Sequence, residues 1–233
     1  MANYELYYWS VPFRGQFVRA VLAYAGQDWS EHDDEEIAKM MQAPVKKMPV
    51  PFMGPPILVD KKADMTLSQM PAIVLYLGET LNLLPASPGL RALTMKVVLD
   101  ANDVIDEITI GGGRLMWTDK RWEEFQPRLR KWMTLFEETG ARNGLEAGSG
   151  FMLGEDKPGI ADVVTATLWS TMTERFPKLK SLLRKSAPRV DGLTSRMTAL
   201  PPLAALGVKA KEDYGQAYCG GQIEKSLRKV LDA

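Results

Sequence analysis

The stretch of this chain best suited to chemistry runs from Pro55 to Glu79 and reads PPILVDKKADMTLSQMPAIVLYLGE. The pattern predicts two short strands joined by a tight turn, leading directly into an amphipathic helix. A proline pair opens the stretch, and a polar Ser68-Gln69 step stands where the second strand meets the helix. The first turn of a helix carries N–H groups with no intrahelical partner, and its dipole favours negative charge. A rigid turn beside such a terminus forms a pocket for a small anionic ligand.

Other chemistries lack their residues. His32 is the only histidine, which excludes a Ser-His-Asp triad and a histidine metal site. Cys219 is the only cysteine, so the chain holds no internal disulfide and no cysteine-based metal centre. Gly111 to Arg114, GGGR, does not follow a predicted strand and is not a phosphate-binding loop. It reads as a kink or break in helical sequence, one that widens a pocket for a second substrate. Met116, Trp117 and Trp122 are candidates to line that pocket or to pack the core.

The chain has 233 residues, enough for one large domain or two small ones. Hydrophobic residues make up 45% and charged residues 25%, the balance of a globular protein. Lys plus Arg equals Asp plus Glu, 29 of each, so net charge points to neither nucleic acid nor a membrane as partner. No apolar run reaches the ~20 residues that span a bilayer. No secretory signal is visible at the N-terminus, and the single cysteine fits a reducing compartment; the expected location is the cytoplasm.

These residues must be positioned by elements that the periodicity outlines. Tyr4 to Trp9 reads as a buried strand. Arg14 to Ala25 has helical spacing at Val18, Val21, Leu22 and Ala25, with Gly26 as its C-terminal stop. Asp28 to His32 is a short second strand, and Glu35 to Lys47 a loop with a helical turn broken at Pro44. Ile57–Val59 and Met65–Leu67 form a hairpin, and Met70 to Leu81 a helix with Pro71 in its first turn. Leu83 to Gly89 is a linker. Beyond it the signals are helical: apolar faces at Val97–Ile108, Trp122–Phe136 and Ile160–Thr171, then helices over 179–186, 190–200 and 203–210. The tail from Tyr214 has no clear assignment. Asp162 is placed to accept the Gly159 N–H and start the third of these faces. The expected class is α/β followed by all-α, a small mixed sheet and then a helical bundle.

With these pieces in place the chain resembles a cytosolic glutathione transferase of the tyrosine type, bacterial-like, over nearly its whole length. Three motifs carry the resemblance: YELYYW followed by Arg14-Gly15-Gln16; PPILVD with the later SQMPAIVLYLG; and PGIAD. The second is similar to the family's cis-proline strand followed by Gln-Ser-x-Ala-Ile-x-x-Tyr-Leu. The resemblance implies a thioredoxin-like glutathione-binding domain over 1–82 and an all-helical domain over 90–233. It also implies a homodimer, and glutathione as co-substrate for detoxification of a small hydrophobic electrophile.

It further implies roles for individual residues. Tyr8 aligns with the catalytic tyrosine, whose hydroxyl donates to the glutathione sulfur; Ser10 is the alternative. A thiol with a pKa near 8.5 is only slightly ionised at neutral pH, and lowering it by about two units takes roughly 2.7 kcal/mol. Pro56 matches the cis-proline, preceded by Gly54 and Pro55. The family's residue at Pro55 offers an N–H and a carbonyl to the cysteinyl part of the ligand, and proline lacks the N–H. Gln69 and Met70 match the Gln-Ser pair that holds the γ-glutamyl carboxylate, with one hydroxyl lost at Met70. Lys47, or its neighbour Lys46, matches a lysine for the glycyl carboxylate. Asp103 matches an aspartate donated across a dimer interface. Arg14 stands where the family has Arg-Gly-Arg, but the second arginine is missing here and the loop is two residues longer. Beside the transferase reading stand two others: a glutathione-dependent peroxidase, isomerase or lyase, and a non-catalytic binding protein of the same fold.

Overall fold

The computed structural model describes residues 2–232. Strands β1 (Tyr4–Tyr7), β2 (Trp29–His32), β3 (Ile57–Asp60) and β4 (Met65–Ser68) form one sheet in the order β2-β1-β3-β4. β1 and β2 run parallel around helix α1 (Phe13–Tyr24), while β3 is antiparallel to both β1 and β4. Strand β1 ends at Tyr7, two residues short of the expected Trp9. Helix α3 (Met70–Thr80) follows β4 at once. This is the expected thioredoxin-like half.

One helix was missed in the sequence. Asp34–Gln42 forms α2 where a loop was expected. Asp33 caps it by accepting the Glu36 N–H at 2.8 Å, three acids occupy the first turn, and buried Ile37 anchors it. A single apolar anchor gives little periodicity to read, so the cap and the dipole carry the signal.

The remainder is helical: α4 (Pro88–Ile108), a short turn α5 (Ile110–Gly113), α6 (Asp119–Arg142), α7 (Ile160–Arg175), α8 (Pro177–Ser186), α9 (Pro188–Thr198), α10 (Pro201–Tyr214) and α11 (Gly221–Asp232). Helix α4 starts inside the expected linker, at Pro88, and the unassigned tail forms α11. The break at GGGR is present. Ile110 through Gly113 all have positive φ, a left-handed turn that the three glycines adopt without Cβ strain. Helix α7 is buried nearly all round and packs on α1, α4 and α9, so it is the centre of the molecule. Its start is held by Asp162, which accepts the N–H groups of Gly159 (2.9 Å) and Met152 (2.7 Å).

Candidate functional site

The sheet register decides which sequence-predicted residues meet. Tyr7 pairs with Ile57, and Ile57 with Ser68, so these three form the last row at one end of the sheet. The residues one step beyond that row are Tyr8, Pro56 and Gln69. Neighbouring strands lie about 4.8 Å apart, so the three are strand-to-strand neighbours at one edge. The Pro55–Pro56 peptide is cis, as expected from the motif. Gly54, Pro55 and Met70 adjoin the same edge. The exposed Lys47 sits in the 3-10 turn Val45–Lys47, and Asp103 on the exposed face of α4; neither belongs to that row.

Tyr8 is only 4% exposed. Its hydroxyl oxygen accepts the Arg14 N–H at 3.0 Å, which leaves its own proton free to donate elsewhere. Burial pushes the phenol up to about 12, against the opposing pull of Arg14 and Arg19, so it is a proton-bearing donor at neutral pH. The ring lies against the start of α1. A Cβ on Gly15 would stand 2.3 Å from the Tyr8 ring, so the glycine makes room for the tyrosine. That role was invisible in sequence because the two residues meet only after the chain turns back. Ser10, the alternative donor, is committed elsewhere: its N–H and hydroxyl both donate to Asp34, at 2.9 and 3.0 Å.

The two halves of the predicted Gln-Ser pair behave differently. Gln69 is exposed, has φ of 75°, and its side chain does not cap α3. Met70 is 1% exposed and belongs to the core. The methionine therefore turns inward, and what remains at the site is the N–H edge of the first turn of α3.

The start of α1, which donates to the Tyr8 hydroxyl, is tied to the helical half. Arg14 reaches Asp106 of α4 at 3.5 Å, and the Phe13 N–H donates to the Tyr218 carbonyl at 3.2 Å. Asp106 also lines a cavity of about 510 Å³ between α4, the left-handed turn and α6, with Ile110, Leu115, Trp117 and Phe125 as its apolar wall. Trp117 is thus a wall residue, buried and donating its indole N–H to the Ile108 carbonyl at 2.9 Å. Trp122 lines a separate cavity beside α8 and α11, and Met116 lines neither. No group of His, Cys, Asp or Glu that could hold a metal occurs among the described residues.

Comparison with known proteins bears on the fold and the family. Residues 93–230 match the family model for the glutathione S-transferase C-terminal domain. The chain is 32% identical over 163 residues to a probable glutathione S-transferase 6 of Caenorhabditis elegans, covering 66% of this chain and 73% of that protein. In fold it is similar to the Pi-class glutathione S-transferase of Onchocerca volvulus, with TM-score 0.73, 18% identity, and 94% and 98% of the two chains covered. It is likewise similar to a Nu-class enzyme of Haemonchus contortus, with TM-score 0.69, 23% identity, and 90% and 98% covered. A family-model match over more than half the length, on the helical half of the chain, means that this chain belongs to the glutathione S-transferase family.

Proposed function

We propose that the protein conjugates glutathione to a small hydrophobic electrophile, a reaction of the detoxification type. The glutathione thiol loses its proton to solvent, and Tyr8 keeps the sulfur ionised by donating a hydrogen bond to it. The thiolate sulfur then forms the new bond to the electrophilic carbon as that carbon's bond to its leaving group breaks, and the group departs with the electron pair. In this reading residues 1–82 form the glutathione-binding domain and 90–233 the helical domain that offers the electrophile its apolar wall. Gln69 and the backbone of Met70 hold the γ-glutamyl carboxylate, Gly54 and Pro55 the cysteinyl part, Lys47 the glycyl carboxylate, and Asp103 the γ-glutamyl amine from a partner copy. The observation that carries the reading is the shared sheet end of Tyr8, Pro56 and Gln69. The reading includes a homodimer in the cytoplasm. No helix among the described residues is long and apolar enough to cross a membrane.

One observation favours a second reading, a binding protein without catalysis. The inward Met70 and the missing N–H of Pro55 remove two hydrogen bonds from the same ligand. Glutathione separates the two. Retention on immobilised glutathione, and a rise in melting temperature that grows with its concentration, are expected; at a hundred times Kd the linkage is about 2.7 kcal/mol. A protein that neither binds the resin nor shifts its melting point has lost the transferase reading.

A further inference from the structure

Residues 215–220, between α10 and α11, close on the start of α1, and one side chain fixes them there. Glu224, 7% exposed in the first turn of α11, accepts three consecutive backbone N–H groups through Oε2: Tyr218 at 2.9 Å, Cys219 at 2.9 Å and Gly220 at 2.6 Å. Its other oxygen takes Nε and Nη2 of Arg228, at 2.9 and 2.6 Å. Burial pushes this carboxyl up, but the N–H groups and Arg228 outweigh it, so the group lies below its ordinary value and is ionised at neutral pH. Arg228 also donates to the Gln216 carbonyl, and Arg175 to that of Ala217 at 3.0 Å.

The direction of one peptide makes Glu224 more than a support for the tail. The Cys219 N–H and the Tyr218 carbonyl are opposite edges of the same planar unit. With the N–H held by Glu224, the carbonyl points the other way, and there it accepts the Phe13 N–H at 3.2 Å. A hydrogen bond at one end of an amide also polarises the other, so the carboxylate strengthens that carbonyl as an acceptor. Edge-on ring contacts add to the join: Tyr218 meets Phe13 and Phe176, each with centroids 5.3 Å apart.

Phe13 needs such a hold. Its φ is 25°, a left-handed conformation uncommon in a residue with a side chain. Strained backbone of this kind persists where its surroundings impose it. The dihedrals of Phe13 set how its own N–H and the next are turned relative to one another. That next one, the Arg14 N–H, donates to the Tyr8 hydroxyl oxygen at 3.0 Å. Three hydrogen bonds in series thus run from Glu224 to the Tyr8 hydroxyl.

We propose that Glu224 is a positioning residue for thiol activation: through the Tyr218–Cys219 peptide it holds Phe13, and so keeps the Arg14 N–H on the Tyr8 oxygen and the phenol proton turned to the glutathione sulfur. The inference rests on the transferase reading of Tyr8. Glu224 itself touches no reacting atom; it acts through Tyr8.

Titration of the bound thiol tests this, followed by the ultraviolet absorbance of its thiolate across pH. The proteins compared are the parent, Tyr8→Phe, Glu224→Gln and the double variant, with glutathione affinity taken from calorimetry. An amide accepts on one oxygen only, so Glu224→Gln cannot hold both the N–H groups and Arg228. It is expected to raise the thiol pKa by about 0.5–1 unit. In mildly acid solution, where the thiol keeps its proton bound or free, Kd for glutathione is expected to stay within about twofold. In the Tyr8→Phe background Glu224→Gln is expected to add nothing, because its effect passes through the hydroxyl. A general loosening of the fold would act in both backgrounds. Should Glu224→Gln not fold, Glu224→Asp takes its place, with the charge kept, one methylene of reach lost and the same direction expected. The inference is overturned if Tyr8→Phe raises the thiol pKa and the Glu224 variants do not, or if their effect is the same with and without the Tyr8 hydroxyl. If the parent does not bind glutathione, or Tyr8→Phe leaves the thiol pKa unmoved, the transferase reading falls and this inference with it.

Discussion

Tyr8 is a phenol whose environment favours the neutral form. With its pKa pushed to about 12 by burial, it does not act as a base near neutral pH. In the proposed reaction its use is as a donor, and the Arg14 N–H on its oxygen polarises it toward that use. Tyr8→Phe removes the donor while keeping the ring. A hydrogen bond to a charged group contributes about 1.5–3 kcal/mol, so kcat/KM is expected to fall roughly ten- to a hundredfold with glutathione affinity little changed. The ultraviolet absorbance of bound thiolate should fall with it; an unchanged thiolate signal would mean that another group ionises the sulfur. Gly15→Ala approaches the same ring from behind. The added methyl stands too close to the ring for both to stay in place. Overpacking of this kind costs about 1–3 kcal/mol. The variant is expected to melt lower and to lose thiolate formation, because the displaced ring carries the hydroxyl away. The place of Tyr8 at the end of the first strand was legible in the sequence, whereas its contact with Gly15 was not. Nothing in a local window shows that a helix will start against a side chain seven residues earlier.

At the level of elements, the start of α7 bears the most consequence, since α7 is the helix against which the others pack. Asp162 holds that start by accepting two backbone N–H groups. Asp162→Ala leaves the buried Met152 N–H without a partner, at about 1–3 kcal/mol, and the half-buried Gly159 N–H at less. A loss of about 2–4 kcal/mol is expected in urea denaturation. The same carboxyl is pushed up to about 6, chiefly by burial and against the pull of those N–H bonds. The unfolded value is near 3.9. The folded state therefore holds the proton more tightly. This contribution to stability is full below about pH 4 and is lost as pH rises through about 6. Asp162→Asn should flatten that slope; a slope unchanged in the variant would assign it to another group. The cap was readable from the spacing of Gly159 and Asp162. The role of α11 was not. Ile223 packs near Gly113, and Ser226 accepts the Trp117 N–H at 3.0 Å, more than a hundred residues away in sequence. The sheet edge lies between these cases. Its strands were visible as apolar runs, but their meeting at Tyr8, Pro56 and Gln69 depends on register, which period-2 patterns over four residues specify weakly.

For the whole molecule, the open question is how many copies make a complete site. Helix α4 is buried on one side by Val97, Val98, Ala101 and Val104. On the other side Met95 and Leu99 are 48% and 45% exposed, and Leu93 is 37% exposed. Asp103 follows Leu99 by one helical turn on that outer side. Its carboxyl is raised by burial and then by Asp100, Glu107 and Asp106, which makes it a poor place to add another anion and a good one to receive an ammonium group. If α4 faces a second copy through Met95 and Leu99, Asp103 stands where it can meet the partner's glutathione amine. Leu99→Glu puts a charge in the middle of that contact, and a buried unpaired carboxylate costs several kcal/mol. Light scattering is expected to give twice the chain mass for the parent and the single-chain mass for Leu99→Glu. Asp103→Asn should leave the dimer intact and raise KM for glutathione. In the Leu99→Glu monomer the same change should have no further effect, because the acceptor from the second copy is already gone. A parent protein that runs as a monomer with full activity would remove Asp103 from the site and leave each copy complete by itself.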